Sequence, residues 1–220
     1  MVELTLPEAR YHFQTLAPQI EALTGIVPNV DSLDIRLIER GEYWEQAVEP
    51  GMRYLGIDTT PRTERARGII ALLNRIQSKE VGGMYEPRLN QYFFIPENLK
   101  NANDDRVAVI IGHELAHGTQ FSATPEFNSV LQEITKISIG KNFFEHGEAD
   151  VPEATACLQD MMTQVEGYAT FYQNALIQLY YPDAVFKPNN ELFSSIMPVM
   201  DENDLFERFP VLKELEDLLQ

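Results

Sequence analysis

Hydrophobic residues recur every three or four positions over much of the chain, which is the spacing of amphipathic helices. The predicted helices cover 7–23, 42–55, 63–77, 104–121 and 153–180. Pro152 stands where the last of these helices begins, and Pro182 follows its end, which are two positions typical of proline. The stretch 122–151 is expected to be less regular, and the tail 192–220 predicts one or two short helices.

Alternating patterns replace the helical spacing in two places. Leu33, Ile35 and Leu37 alternate with polar neighbours, as in a half-buried strand. Residues 81–95 carry aromatic and β-branched residues on both sides of the turn residues 86–90, which predicts a β-hairpin. The chain is therefore expected to be α+β, mainly helical with a small sheet beside one of the helices.

A length of 220 residues is enough for one domain with a sizeable core. The expected single domain covers 1–220, with a core over about 26–182 and a helical extension over about 189–220. The helix predicted over 104–121 is expected to begin at a cap formed by Asp104 or Asp105 and to continue into an apolar run over 107–111.

The chain is strongly acidic, with a formal net charge of −17 and no basic patch. This composition argues against nucleic acid or an anionic membrane as a partner. The N-terminal residues lack the pattern of a secretory signal, and no apolar run is long enough for a membrane span, so a cytoplasmic protein is the simplest expectation. The single cysteine, Cys157, excludes an intramolecular disulfide and is expected to be a buried, inert thiol.

The segment His113-Glu-Leu-Ala-His117 carries the clearest chemical pattern. Two histidines four residues apart project from one side of a helix and can bind a single metal ion together. Glu114 lies about 100° further round the helix, where its carboxylate can contact a zinc-bound water and act as general base. The alternative is a chance grouping on a surface helix, but the apolar neighbours of the motif predict a buried helix, in which these polar groups need partners.

A catalytic zinc ion usually has three protein ligands, so a third ligand is expected. Glu166 is the leading candidate, because it lies on a predicted, partly buried helix next to Gly167, a residue tolerated where something approaches the backbone closely. Glu166 could instead be an ordinary capping or salt-bridged glutamate. The rival ligands are His146 and Glu148, whereas His12 has no partner motif. Asp150 or Asp160 could orient a metal-bound histidine from behind.

Four segments together carry a resemblance to a known class of enzyme. They are Gly83-Met-Tyr-Glu-Pro87, Tyr92-Phe-Phe-Ile95, Gly112-His-Glu-Leu-Ala-His-Gly-Thr-Gln120 and Val165-Glu-Gly-Tyr-Ala-Thr170. Their order resembles the uncharacterised gluzincin-type, zincin-like zinc metallopeptidases, in which a hairpin precedes the His-Glu-x-x-His helix. A later Glu-Gly-x-Ala helix supplies the third ligand in those families. The resemblance spans about 81–180, and Tyr168 departs from it, since that position tends to be polar or charged.

The resemblance implies one zinc ion on His113, His117 and Glu166, with Glu114 as the catalytic base. It also implies that the strand containing Tyr92, Phe93 and Phe94 is the substrate-facing edge, to which a peptide or protein substrate could add by main-chain hydrogen bonds.

A transition-state stabiliser near the metal is usually a tyrosine, histidine or arginine. Tyr168, Tyr172, Tyr85 and His146 are the candidates, and the sequence does not choose among them.

The implied activity is zinc-dependent peptide hydrolysis. One alternative is a catalytically silent zincin-like module that binds or regulates other proteins, although the intact Glu114 argues against it. A di-iron helical bundle is a further alternative because Glu114 and His117 also form Glu-x-x-His. That fold needs a second such pair, and no other histidine follows a glutamate at this spacing.

Overall fold

The structure is a computed structural model that describes residues 4–60, 67, 71, 82–138 and 152–184. The helix predicted over 63–77 and the C-terminal extension predicted over 189–220 lie outside the described residues, apart from two isolated positions of the former. The described part is mainly helical with one small sheet, so the α+β expectation is confirmed at that level.

The elements follow one another in an order close to the prediction. They are α1 (Leu6–Thr24), β1 (Asp34–Leu37), a π-helical turn (Trp44–Val48), α2 (Glu49–Tyr54), β2 (Gly83–Glu86), β3 (Gln91–Phe94), α3 (Pro96–Leu99), α4 (Asp104–Ala123), α5 (Pro125–Thr135) and α6 (Pro152–Leu179). The helix predicted over 42–55 is thus divided into a π-helical turn and the short α2. Its register changes between the two parts.

Helix α1 has a clear signal at each end. At its start, the Thr5 amide donates to the Glu8 carboxylate at 2.8 Å and the Glu8 amide donates to the Thr5 hydroxyl, which together form a capping box. At its end, Gly25 has a φ of 72°, a left-handed conformation that glycine adopts without a steric penalty.

Among the described residues, the sheet has three strands in the order β1-β3-β2. Strand β3 pairs in parallel with β1, with Ile35 opposite Tyr92, and antiparallel with β2, with Tyr85 opposite Tyr92. The predicted hairpin is therefore confirmed, and Asn90 takes a positive φ of 52° in its turn. Of these three described strands, β3 is central and β2 forms one edge.

Helix α4 carries the His-Glu-x-x-His motif and lies at the centre of the described structure. Its cap is Asn103 rather than Asp104 or Asp105, since the Asn103 side chain accepts the Arg106 amide at 2.9 Å. Asp104 and Asp105 instead lie in the first turn, where negative charge is favourable.

One face of α4 and one face of the sheet share the main core with α1 and α6. Fully buried members of this core include Phe13, Leu16, Phe94, Ile111, Leu115 and Leu176. The other face of the sheet packs Phe93 and Ile95 against Tyr43 and Ala47. Both faces of this small sheet are therefore covered.

The stretch predicted to be less regular contains helix α5. Pro125 occupies the first turn, and Phe127, Leu131 and Ile134 are buried at spacings of four and three residues. The expectation for this part of 122–151 was therefore wrong, although the helical signal was present in the sequence. Residues 139–151 lie outside the described part.

Two simpler expectations can be compared directly with the structure. Cys157 is buried, with a relative exposure of 4%, and burial raises the pKa of its thiol. Within the described ranges, none of the helices has the length and apolar character that a membrane crossing requires.

Candidate metal centre

Three side chains from two helices converge on one point. His113 and His117 lie one turn apart on α4, and their Nε2 atoms are 3.1 Å apart. Glu166 on α6 places its two carboxylate oxygens 3.5 Å from His113 Nε2 and 3.8 Å from His117 Nε2. The structure therefore brings together the three residues that the sequence predicts as metal ligands.

These distances suit a tetrahedral metal ion. Zinc binds histidine nitrogen and carboxylate oxygen at about 2.0–2.2 Å, so two ligand atoms in a tetrahedral site are about 3.3–3.5 Å apart. The ligand atoms of this group all lie within 4.8 Å of one another. Two histidines and one carboxylate are also a usual ligand set of catalytic zinc, so the residues present fit the ion.

Close packing of α4 on α6 makes this convergence possible. A Cβ atom on Gly112, the residue before the first ligand, would lie 2.4 Å from Leu176 Cδ1 on α6. Any larger residue at position 112 would force the buried Leu176 side chain to move. Gly112 therefore allows Leu176 to pack directly against α4, next to the first ligand.

The three ligand side chains differ in how readily they take up protons. Burial and the nearby charge of His113 lower the pKa of His117 to about 3. Burial alone would raise the pKa of Glu166, but its hydrogen bond with His113 and the charges of both histidines lower it to about 2. Both groups are therefore unprotonated at neutral pH, as metal binding requires.

His113 behaves differently from the other two ligands. Burial disfavours its charged form, but the hydrogen bond to Glu166 and the charges of Glu114 and Glu166 outweigh burial and raise its pKa. His113 is therefore the most readily protonated of the three ligands in the absence of a metal ion. Below its pKa, a cation that binds must displace this proton.

Glu114 lies between the two histidines in sequence, but its carboxylate is held away from the ligand atoms. Its Oε2 accepts a hydrogen bond from the backbone N–H of Tyr85 on β2 at 2.7 Å. The side chain is buried, and burial together with the charge of Glu166 raises the pKa of Glu114 to about 7, against the opposing effects of His113 and the Tyr85 amide. A carboxylate with this pKa can exchange protons near neutral pH, as a general base must.

The strand expected to face the substrate is not an exposed edge. Tyr92, Phe93 and Phe94 belong to the central strand β3, whose two sides are paired with β1 and β2. The prediction that these residues form a substrate-facing edge is therefore wrong. The strand edge beside Glu114 belongs to β2.

Asp150 or Asp160 was expected to orient a ligand histidine by a hydrogen bond to its second ring nitrogen, and for Asp160 this prediction is wrong. The Nδ1 atoms of His113 and His117 are buried and have no hydrogen-bond partner in the part of the chain that the structure describes. Asp160 is exposed on α6 and therefore does not orient either ring. Asp150, the other residue considered for this role, lies outside the described residues, as do His146 and Glu148.

The tyrosines considered as transition-state stabilisers occupy different surroundings. Tyr168 and Tyr172 are buried in the main core, with ring centroids 4.8 Å apart, and burial raises the pKa of both. Tyr85 donates its hydroxyl to Asn90 at 3.0 Å, and burial raises its pKa to about 12. A catalytic role for any of the three stays a prediction.

His12 is buried, far from the motif in sequence, and lies beside a different carboxylate. Its Nε2 lies 3.5 Å from the Asp104 carboxylate at the start of α4. His12 is thus a partly satisfied histidine of the α1–α4 contact and does not join the ligand group among the described residues.

Two residues near the centre were not identified from the sequence. The Gln173 side chain interacts with His113 and helps to raise its pKa, and Gln173 lies seven residues after Glu166 on the same face of α6. Tyr43 donates its hydroxyl to Met84 Sδ at 2.7 Å, and burial with the charges of Glu114, Glu86 and Glu166 raises its pKa. The seven-residue spacing could have indicated Gln173, whereas no sequence signal connects Tyr43 to the motif.

The reason inferred for Gly167 is not supported by its surroundings. A Cβ atom at this position would meet none of the described residues within 4 Å, so their backbone does not approach it closely. Close approach is instead found at Gly112, at Gly83 and at Gly118, where a Cβ would lie 1.8 Å from the Tyr92 hydroxyl.

No protein-family model, curated protein or solved structure matches this chain. The interpretation of the centre therefore depends on its own geometry and chemistry.

Proposed function

We propose that this chain is a zinc-dependent metallopeptidase. The observation that carries the proposal is the meeting of His113, His117 and Glu166 at spacings suited to one tetrahedral ion. Beside them, the Glu114 carboxylate is held by a strand edge and not by the ligands. A metal site that only stabilises the fold does not require a separate, buried carboxylate beside its ligands.

The residues divide the chemistry among themselves. His113, His117 and Glu166 would hold the ion, leaving a fourth tetrahedral position for a water or substrate. When bound there, a zinc ion supplies a Lewis acid that polarises a carbonyl group and makes water more acidic. Glu114 takes the proton from the attacking water, and the protonated Glu114 later donates it to the leaving amine.

Peptides suit this site because of the backbone beside it. Strand β2 is an edge strand of the described sheet, so the outward backbone groups that Glu114 does not occupy can pair with an extended chain. Residue pairs in an antiparallel ladder alternate between hydrogen-bonded and non-bonded types, and Tyr85 directs its N–H outward to Glu114. Gly83 lies two residues before Tyr85 on β2 and therefore also directs its backbone N–H and C=O groups outward. A peptide paired with these groups would pass the Glu114 carboxylate.

The test combines metal content with one substitution. Protein purified without added metal should contain about one zinc ion per chain, and it should cleave a quenched-fluorescent peptide library. Glu114→Gln should keep the zinc and lose at least about 100-fold in kcat/KM, because the general base is removed. Glu126→Gln, an exposed glutamate on α5, is the matched control and should retain full activity.

Three results would contradict the proposal. One is protein that binds no zinc even when the ion is added in excess. Another is zinc-loaded protein without any hydrolysis of the library, which would favour a silent binding module. The last is a Glu114→Gln variant as active as the Glu126→Gln control.

A further inference from the structure

We propose that the backbone amide of Tyr85 is a positioning group for Glu114, holding one carboxylate oxygen so that the other is presented to the reacting water. This inference rests on the proposed hydrolytic function for its catalytic consequence. The contact itself does not depend on that function. It joins strand β2 to the motif helix through a single 2.7 Å hydrogen bond.

The Tyr85 amide is available because of its place in the sheet. Tyr85 lies opposite Tyr92 in the antiparallel pair, and its N–H is directed away from β3. An outward amide of an edge strand normally binds water. Here Glu114 takes it, and both residues are buried, with relative exposures of 8% for Tyr85 and 7% for Glu114.

Gly83 explains how the glutamate comes so close to the strand. A Cβ atom at position 83 would lie 3.1 Å from Glu114 Cγ and 2.6 Å from the Phe94 ring. The absence of a side chain therefore leaves room for the stem of Glu114 against β2. Gly83 and the Tyr85 amide thus define one place for the Glu114 side chain.

A backbone donor suits this task better than a side chain would. The amide has no rotatable bond of its own, so its direction is set by the strand. A hydrogen bond to an ionised carboxylate is shorter and stronger than one between neutral groups. A general base must lie within hydrogen-bond reach of the proton that it takes, and a displacement of about 1 Å can cost about 100-fold in rate.

The first experiment removes the amide hydrogen and leaves the side chain in place. Tyr85 is replaced with its α-hydroxy acid analogue by nonsense suppression in the full-length chain, which exchanges the amide for an ester. With the quenched-fluorescent peptide library as probe, kcat should fall about 10- to 100-fold, while KM and zinc content stay unchanged.

A control variant separates this effect from the general effect of an ester in the backbone. The same ester exchange at Glu126, an exposed residue in the first turn of α5, should keep the wild-type kcat. A Tyr85 ester variant with wild-type kcat, or a Glu126 ester variant as impaired as the Tyr85 ester, would overturn the proposal.

The second experiment does not depend on activity. In the zinc-loaded protein, hydrogen exchange followed by NMR should show a protected Tyr85 amide, which becomes unprotected in Glu114→Ala. The Met84 amide, which the alternation directs toward β3, should remain protected in both proteins. Equal exchange at Tyr85 in both proteins would overturn the contact, whereas an inert wild type with a protected Tyr85 would contradict only the peptidase function.

Discussion

The hydroxyl of Tyr92 occupies the space beside Gly118, the residue that follows the second ligand histidine. A Cβ atom on Gly118 would lie 1.8 Å from this oxygen and 2.9 Å from the ring carbon that bears it. Tyr92 is buried in the central strand, with a relative exposure of 4%, and has little room to retreat. The contact sets how closely α4 can approach the sheet.

Gly118→Ala should therefore destabilise the protein by about 1–3 kcal/mol through overpacking. Removing the clashing oxygen in the double variant Gly118→Ala/Tyr92→Phe should restore part of this loss. Urea unfolding followed by circular dichroism measures both effects. A Gly118→Ala variant as stable as the wild type would show that Tyr92 moves aside freely.

Gly167→Ala is the matched substitution, and it should change the stability of the protein in the opposite direction. It lies within α6, and a Cβ there would meet nothing within 4 Å. Gly167→Ala should stabilise the protein by about 0.5–1 kcal/mol, because alanine loses less backbone entropy in a helix. The midpoint of urea unfolding should rise. A fall would mean that the glycine is needed for a contact that the described residues do not show.

Glu166 should be essential for metal affinity. Glu166→Ala removes one of three ligands, and zinc affinity should fall by more than about 100-fold. Asp160→Asn, which removes an exposed charge from the same helix, is the control and should leave the affinity unchanged. Competition with a chromogenic chelator measures both. Equal affinities in the two variants would remove Glu166 from the ligand set.

Zinc binding should release a proton from His113. The pKa of His113 is raised, whereas those of His117 and Glu166 are lowered to about 3 and about 2. Near neutral pH, the proton that competes with the metal among these three ligands is therefore the one on His113. Below the pKa of His113, each fall of one pH unit should therefore weaken zinc binding about tenfold.

Calorimetry in buffers of different ionisation enthalpy counts the released protons. The measurement should compare the wild type with Glu114→Gln. The pKa of Glu114 is about 7, so its carboxyl group could release a second proton, and its charge also helps to raise the pKa of His113. The expected count is close to one below the pKa of His113. A count near zero over the range from pH 5 to 7 would contradict the proposed protonation of His113.

His12 should reduce stability in mild acid. Burial lowers its pKa below the ordinary value of 6.5, against the opposing charges of Asp104 and Glu8. Between pH 6.5 and the lower pKa of the folded state, the unfolded chain therefore binds a proton that the folded chain does not, and the free energy of unfolding falls as the pH falls. His12→Gln should lessen this slope by up to about 1.4 kcal/mol per pH unit. Urea unfolding at several values between pH 7 and pH 5 gives the slopes, and equal slopes would exclude this role.

Glu86 and Arg88 form a partly buried ion pair, with side-chain exposures of 2% and 14%. Arg88→Met would leave the buried Glu86 carboxylate with the backbone N–H of residue 88 but without the guanidinium charge, and should cost up to about 3–5 kcal/mol. The double variant Glu86→Leu/Arg88→Met removes both charges and should recover much of this loss. Thermal unfolding compares the two. A double variant less stable than Arg88→Met would show that Glu86 is held by other groups.

The elements that the sequence predicts well are those formed by local interactions. The hairpin over 81–95 depends on a turn between two short runs of residues, and the long helix α6 begins at a proline. The ligand pair His113 and His117 is equally local, because helix geometry alone places the two rings together. These features need no knowledge of distant parts of the chain.

The wrong prediction that β3 is an exposed edge concerns an interaction between distant parts of the chain. Strand β3 became the central strand because β1 pairs with its free side, and Gln91 and Asp34 are 57 residues apart in the chain. No periodic pattern encodes which side of a hairpin a distant strand will join. The bond between Tyr85 and Glu114 was missed for a related reason, since a backbone donor is present at almost every position and leaves no signature in the sequence.

The parallel pairing of β1 with β3 also has a consequence for how the chain folds. The hairpin β2–β3 closes over a few residues. Pairing β1 with β3 instead joins residues that are far apart in the chain, which costs more entropy. Contacts between residues so far apart are gained slowly, so the third strand should join after the hairpin has formed. A nascent chain would then spend part of its synthesis with the Asp34–Leu37 segment unpaired, waiting for a partner that has not yet been made.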